Sequence, residues 1–384
     1  MTDNRFRRLP VGIQSFKVIR EENYLYVDKS DIVWNMVNLG DKFNYLSRPR
    51  RFGKSVLVDT LESYLEGRKD LFEGLKIMQL EKDWKQYPVI RLDMSRGGAN
   101  EDTLRSYLNL RFKDYEEKYN ITPDPTAMLA DRFHAIIATA YKQTGLRVAV
   151  LIDEYDSPLQ HSWRTPEHEK CTSLYREVFA ILKADDEYEH FIFITGITKF
   201  TQISLFSVLN NLSNISFMPE YAAICGITEE EIKENFMPEL KQMSEANNWS
   251  VQETHDRLKA YYDGYHFSRR NMVDVYNPYS LVNALKSKEI INFWASSGAT
   301  SLLPKFIDNI DLLPCNFEDC CIMHNTLELS DITSGSAALA LYQSGYLTIK
   351  ECDEFGYILG FPNEDVKQAL LAYHQDLSRL TSAK

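Results

Sequence analysis

The stretch NYLSRPRRFGKSVLVDTL, residues 44–61, constrains this chain more than any other part of it. Residues 43–49 read as a short apolar strand running into a turn, and residues 54–67 carry apolar side chains at helical spacing until Gly67 stops them. Strand, tight loop and helix in that order bring successive backbone N–H groups and a helix N-terminus to one point, an arrangement that binds phosphate. In such a loop a lysine reaches the outer phosphates and a hydroxyl holds magnesium. Here these residues are Lys54 and Ser55, flanked by Arg50, Arg51, Phe52, Gly53 and Val56. The usual pattern G-x-x-x-x-G-K-[ST] has a glycine where this chain has Arg48, and the loop alone is also compatible with an ordinary capped helix start.

A second piece points the same way. VAVLIDEYD (148–156) is a continuous apolar strand ending in acids. Asp153 is placed to hold magnesium through water, and Glu154 to orient or deprotonate an attacking water; as an alternative, the two acids open a solvated turn. The strand expected at 87–95 is inserted between the two motifs. That suits phosphate-loop enzymes in which another strand separates the loop strand from the acidic one, with both motifs at neighbouring strand ends over one crevice. A fourth strand, 190–200, puts Thr195 where it either senses the outermost phosphate or is simply a hydrogen-bonded hydroxyl. Arg48, Arg50 and Arg51 either offset phosphate charge or pair with nearby acids.

Helices expected at 101–119, 125–144 and 167–184 alternate with these strands, and 214–218 is a candidate fifth strand. The alternation predicts an α/β parallel sheet with helices on both faces, the P-loop NTPase architecture, over residues 1–220. Residues 221–329 then read as a helical lid. In it a capping box at Thr228 and Glu231 opens a helix over 228–245, and Gly264 stops a second helix over 251–267. Residues 330–384 read as helix, turn at Gly345 and hairpin, a winged-helix-like unit. Its final helix carries an apolar stripe of Val366, Ala369, Leu370, Tyr373 and Leu377.

Composition sets limits. At 384 residues and 44% hydrophobic the chain can bury real cores, while a net charge of −12 argues against nucleic-acid binding by the surface as a whole. The six cysteines form no C-x-x-C pair, which indicates neither zinc nor a disulfide scaffold. With no apolar leader and no apolar run of 18 residues, a cytoplasmic protein that does not span a membrane is expected.

Taken together, GIQSFKVIREENYLYVDKS, YLSRPRRFGKS, YPVIRLDMS, VLIDEYDSPL, FITGITKFTQISLFSVLNNLSNIS, YYDGYHFS, VYNPYSLVNAL and SGYLTI closely resemble the AAA-ATPase-like family of bacterial proteins, from about residue 10 to the end. The family has arginines around the loop, so the resemblance makes Arg48 a family variant. It implies ATP and Mg2+ as cofactors, phosphate-loop roles for Gly53, Lys54 and Ser55, metal and water roles for Asp153 and Glu154, and a sensor role for Thr195. It also implies a phosphate contact for His266, which reads equally as part of its aromatic cluster, and apolar contacts to the base for Ile13 and Phe16. The family usually continues into a nuclease-like domain of the PD-(D/E)xK type. The E-x-K triplets here, such as Glu231–Lys233 and Glu239–Lys241, fall on expected helices, so no nuclease is expected within these residues. The implied activity is a switch-type ATPase regulating a nuclease or other effector protein. The alternative is a nucleotide-responsive protein- or DNA-binding module with little hydrolysis. Whether the chain binds DNA or forms a homo-oligomer is left open.

Overall fold

The computed structural model of the protein describes residues 8–199, 211–270, 273–296 and 317–382, with side chains of the last helix given as far as residue 375. Phe200–Asn210, within one of the motifs above, and the side chain of Leu377 lie outside this description. The chain divides into two compact units: residues 30–47 with 58–215, and residues 1–29 with 48–57 and 216–384.

The first unit is built on a parallel five-stranded sheet. Its strands are β1 (Phe43–Ser47), β2 (Val89–Asp93), β3 (Val148–Asp153), β4 (Glu189–Gly196) and β5 (Ser213–Asn214), in the order β2-β3-β4-β1-β5. Every residue of β3 is buried, as a strand covered on both faces requires, and this explains why it reads as an unbroken apolar run. Helices Glu101–Lys118, Leu129–Thr144 and His168–Phe179 alternate with the strands, so the α/β class expected from the sequence holds. Two details differ. The strand that separates β1 from β3 is β4, while the inserted strand β2 lies outside β3, so the loop strand and the acidic strand are not neighbours. β5 is only two residues long because the chain turns at once into a 3-10 helix, Ile215–Phe217.

The second unit contains the helices expected of the lid. Thr228 and Glu231 form the expected capping box, the Thr228 N–H donating to Glu231 Oε2 at 2.8 Å. The helix expected over 228–245 is two helices, Glu229–Asn235 and Met237–Asn247. Pro238 lacks the N–H that an unbroken helix would need and instead sits in the first turn of the second. The next helix, Val251–Tyr262, ends earlier than the pattern suggests: Asp263 is extended and Gly264 left-handed at φ 90°. Strands β6 (Ile227–Thr228) and β7 (Val275–Tyr276) form a small antiparallel pair. Strands β8 (Cys320–Met323), β9 (Thr348–Cys352) and β10 (Gly356–Gly360) make an antiparallel sheet in the order β8-β10-β9. Gly345 ends helix Ala337–Ser344 in a left-handed turn, as its position suggested. On the last helix Val366, Ala369 and Leu370 are buried and Tyr373 half-buried, so four positions of the expected stripe face its own unit.

Candidate phosphate-binding loop and strand-end acids

Residues 48–53 leave the carboxyl end of β1 and enter helix Lys54–Leu65. The loop has two left-handed residues, Arg51 at φ 67° and Gly53 at φ 90°. Such alternation turns consecutive N–H groups inward and makes a concave anion cradle. Among the described residues nothing lies within 4 Å of where a Cβ would stand on Gly53. The first helical bond runs from Leu57 N–H to Gly53 O at 3.0 Å, so the helix starts directly from the loop. Lys54 folds over the loop: its Nζ donates to Arg48 O and Pro49 O, both at 2.9 Å. Ser55 and Val56 are half-buried in the first turn, Arg50 is half-buried and Arg51 is exposed, its guanidinium 5.0 Å above the Tyr279 ring. These donors suit a phosphate.

Arg48 plays a different part. Its guanidinium is buried and donates to Ser216 O and Tyr221 O, each at 2.9 Å, and lies 4.2 Å from the Phe267 ring. Burial pulls it down to about 10 from the ordinary arginine value, so it still carries its charge at neutral pH. Phe52, fully buried, meets Tyr265 and Phe267 edge-on at 4.7 and 5.3 Å. Tyr265 in turn donates to Gly345 O at 3.0 Å. Three of the sequence motifs, RPRRFGKS, YYDGYHF and SGYL, thus meet around one aromatic cluster.

His266 is engaged at both ring nitrogens, Nδ1 with Ile349 O at 2.9 Å and Nε2 with Asp274 Oδ1. This hydrogen bond holds the Asp274 carboxyl below the usual range. Phe16 is fully buried against Tyr26, whereas Ile13 lines a cavity of about 450 Å3 with Arg8, Leu9 and Tyr24.

In the sheet unit, parallel pairing puts the carboxyl ends of β1, β3 and β4 on one edge. Asp153 is buried at the end of β3 and accepts the Glu154 N–H at 2.9 Å. Glu154 is left-handed at φ 48°, which turns the chain sharply after the strand and leaves its side chain half-buried. Thr195 is fully buried, its hydroxyl donating to Leu46 O at 2.8 Å and its carbonyl accepting the Tyr155 N–H. The sheet thus brings Asp153 and Thr195 to the edge where β1 ends.

Sequence reasoning passed over Asp156 and Asp93. Asp156 Oδ2 accepts from Ile197 N, Thr198 N, Thr198 Oγ1 and Gln160 Nε2 at 2.5–3.0 Å, pinning the chain just beyond Thr195. The only signal was the third acid of DEYD. Asp93 pairs in register with Asp153 at the end of β2 and bonds Ser95.

Comparison with known proteins bears on this geometry. The family described as predicted AAA-ATPase, AAA-ATPase_like, matches residues 10–206, spanning the loop, both acids and Thr195. The chain belongs to this family. A relative of this AAA-ATPase-like chain is an uncharacterized protein in the vnfD 5′ region of Azotobacter chroococcum mcd 1. It is 32% identical over 373 residues, covering 95% of this chain and 69% of the relative. Among solved structures, the Aeropyrum pernix ORC2 protein in ADPNP–ADP complexes is 14% identical, covering 98% of each chain, with a TM-score of 0.36. The Aeropyrum pernix ORC1 protein in complex with DNA is 12% identical, covering 91% of each, with a TM-score of 0.30. Scores this low extend to no shared function.

Proposed function

We propose that this AAA-ATPase-like chain is a magnesium-dependent ATPase of the switch type, whose nucleotide state controls an effector such as a nuclease. The observation that carries the reading is the loop of residues 48–55, with its left-handed Arg51 and Gly53, no described residue within 4 Å of a Cβ placed on Gly53, and Lys54 poised over its carbonyls. In this reading the amides of Gly53–Val56 cradle the phosphates, Lys54 neutralises the outer ones, and Arg50 and Arg51 add positive charge. Ser55 and Asp153 would hold Mg2+, which when bound supplies the charge that steadies the phosphates. Glu154 orients or deprotonates the attacking water, and Thr195 takes the sensor role at the outermost phosphate. His266 contacts phosphate only by exchanging one of its present partners, so it enters as a switch contact.

Residues 1–220 form the ATPase domain in this account, 221–329 the lid and 330–384 the winged-helix-like output unit. A cytoplasmic setting agrees with the free cysteines and with the lack, among the described residues, of any helix long and apolar enough to cross a membrane. The test is equilibrium dialysis of the purified chain with ATP and ADP, followed by phosphate release with and without Mg2+. Saturable ATP binding with Mg2+-dependent release supports the reading; a folded chain that binds no nucleotide removes it.

A further inference from the structure

We infer that Arg48 is a positioning residue that fastens the phosphate loop to the 216–221 segment and to Phe267, so that ATP binding at Lys54 is transmitted to those segments. The inference rests on the reading of residues 48–55 as an ATP site.

An arginine that served the phosphate directly would turn its fork toward the cradle. The Arg48 fork instead spans two backbone carbonyls, Ser216 O and Tyr221 O, which lie 168 and 173 positions away, and its plane sits over the Phe267 ring. Two charge-assisted bonds and a cation–π contact, all out of water, make a strong anchor. The backbone of the same residue is held from its other side, because the carbonyls of Arg48 and Pro49 are the two acceptors of Lys54 Nζ. Pro49 packs where a Cβ on Gly345 would stand, at 2.6 Å, and Phe52 is held by Tyr265 and Phe267. A phosphate that draws Lys54 away from these carbonyls therefore acts on the peptide whose side chain holds residues 216–221. Arg48 replaces the usual first glycine because the loop here needs a side chain as an anchor more than it needs freedom at that position.

The test combines equilibrium dialysis with backbone amide exchange on the full chain, using wild type, Arg48→Lys, Arg48→Met and Phe267→Leu, each checked for a cooperative thermal transition. In the wild type, ATP changes exchange in peptides spanning 216–221 and 264–268. Both Arg48 variants bind ATP about tenfold more weakly or worse, and their exchange at 216–221 no longer responds to ATP, because lysine keeps the charge without the two-pronged reach. Phe267→Leu, which removes only the ring, changes both in the same direction by less. The inference is overturned if Arg48→Lys binds like wild type while Arg48→Met does not, which marks a direct charge contact with phosphate. It is overturned equally if both variants keep wild-type affinity and response. Failure of the wild type to bind ATP withdraws the ATP reading by itself. The anchor is then judged by whether Arg48→Met speeds exchange at 216–221 without nucleotide, and unchanged exchange refutes it. Where Arg48→Met does not fold, Phe267→Leu and Arg48→Lys decide by the same readouts.

Discussion

Asp156 holds Thr198 twice, its Oδ2 accepting the backbone N–H at 2.6 Å and the hydroxyl at 2.6 Å. The carboxylate is buried and also receives Ile197 N–H at 3.0 Å, so it fixes the end of β4 immediately after Thr195. Two tyrosines complete the grip, Tyr45 and Tyr155 both donating to Thr198 O. Asp156→Ala leaves two buried amides without their acceptor and should lower stability by about 3 kcal/mol. Asp156→Asn, which keeps an acceptor oxygen, should cost less. Urea titrations of the three proteins check this order.

Gly264 occupies a position that admits no side chain. Its φ is 90°, and a Cβ there would stand 2.3 Å from Pro362 O. Gly264→Ala should destabilise the protein by about 2 kcal/mol or more, combining left-handed strain with displacement of a backbone carbonyl. The thermal midpoint should fall accordingly.

Glu189 predicts a pH dependence. It begins β4 with no exposed surface, and neither carboxylate oxygen has a hydrogen-bond partner among the described residues. Burial pushes its carboxyl up to about 9, opposed by the positive charge of Lys42. Because the folded value lies above the unfolded one, the stabilising contribution is complete below about pH 4.5 and declines as pH rises to about 9. Relative to Glu189→Gln, the wild type should therefore lose about 1 kcal/mol or more between pH 5 and pH 8. Urea midpoints of both proteins at the two pH values test this, and parallel behaviour would remove the charge of Glu189 from the account.

Glu154→Gln should leave ATP binding intact and slow hydrolysis by about 100-fold or more, through loss of the water-orienting carboxylate. Single-turnover phosphate release compared with ATP affinity separates the two effects. Equal turnover would assign the water to another residue.

The parts legible in the sequence were those governed by local pattern. The apolar run 148–152 read as a strand buried on both faces, and Gly345 and Gly264 stood where a left-handed turn was needed. Thr228 and Glu231 carried their capping box in four residues. Legibility failed where a side chain acts across the chain. The Arg48 guanidinium meets carbonyls 168 and 173 positions away, and Asp156 meets an amide 42 positions away; no periodicity encodes such partners. Strand order failed for a related reason: sequence order puts β2 between β1 and β3, yet β4 takes that place in the sheet. At Pro238 the helical pattern ran through a residue that breaks the hydrogen-bond ladder, and the covalent rule overrode the pattern.

The most direct test of the central claim is ATP affinity in the presence of Mg2+, measured by equilibrium dialysis for the wild type and for Lys54→Ala. Lys54 lies in the first helical turn with its Nζ over the loop carbonyls Arg48 O and Pro49 O. Removing it takes away the cation assigned to the outer phosphates and should weaken ATP binding by about 100-fold or more while the thermal transition stays cooperative. A folded Lys54→Ala protein that binds ATP as tightly as the wild type would contradict the assignment of this loop as the nucleotide site.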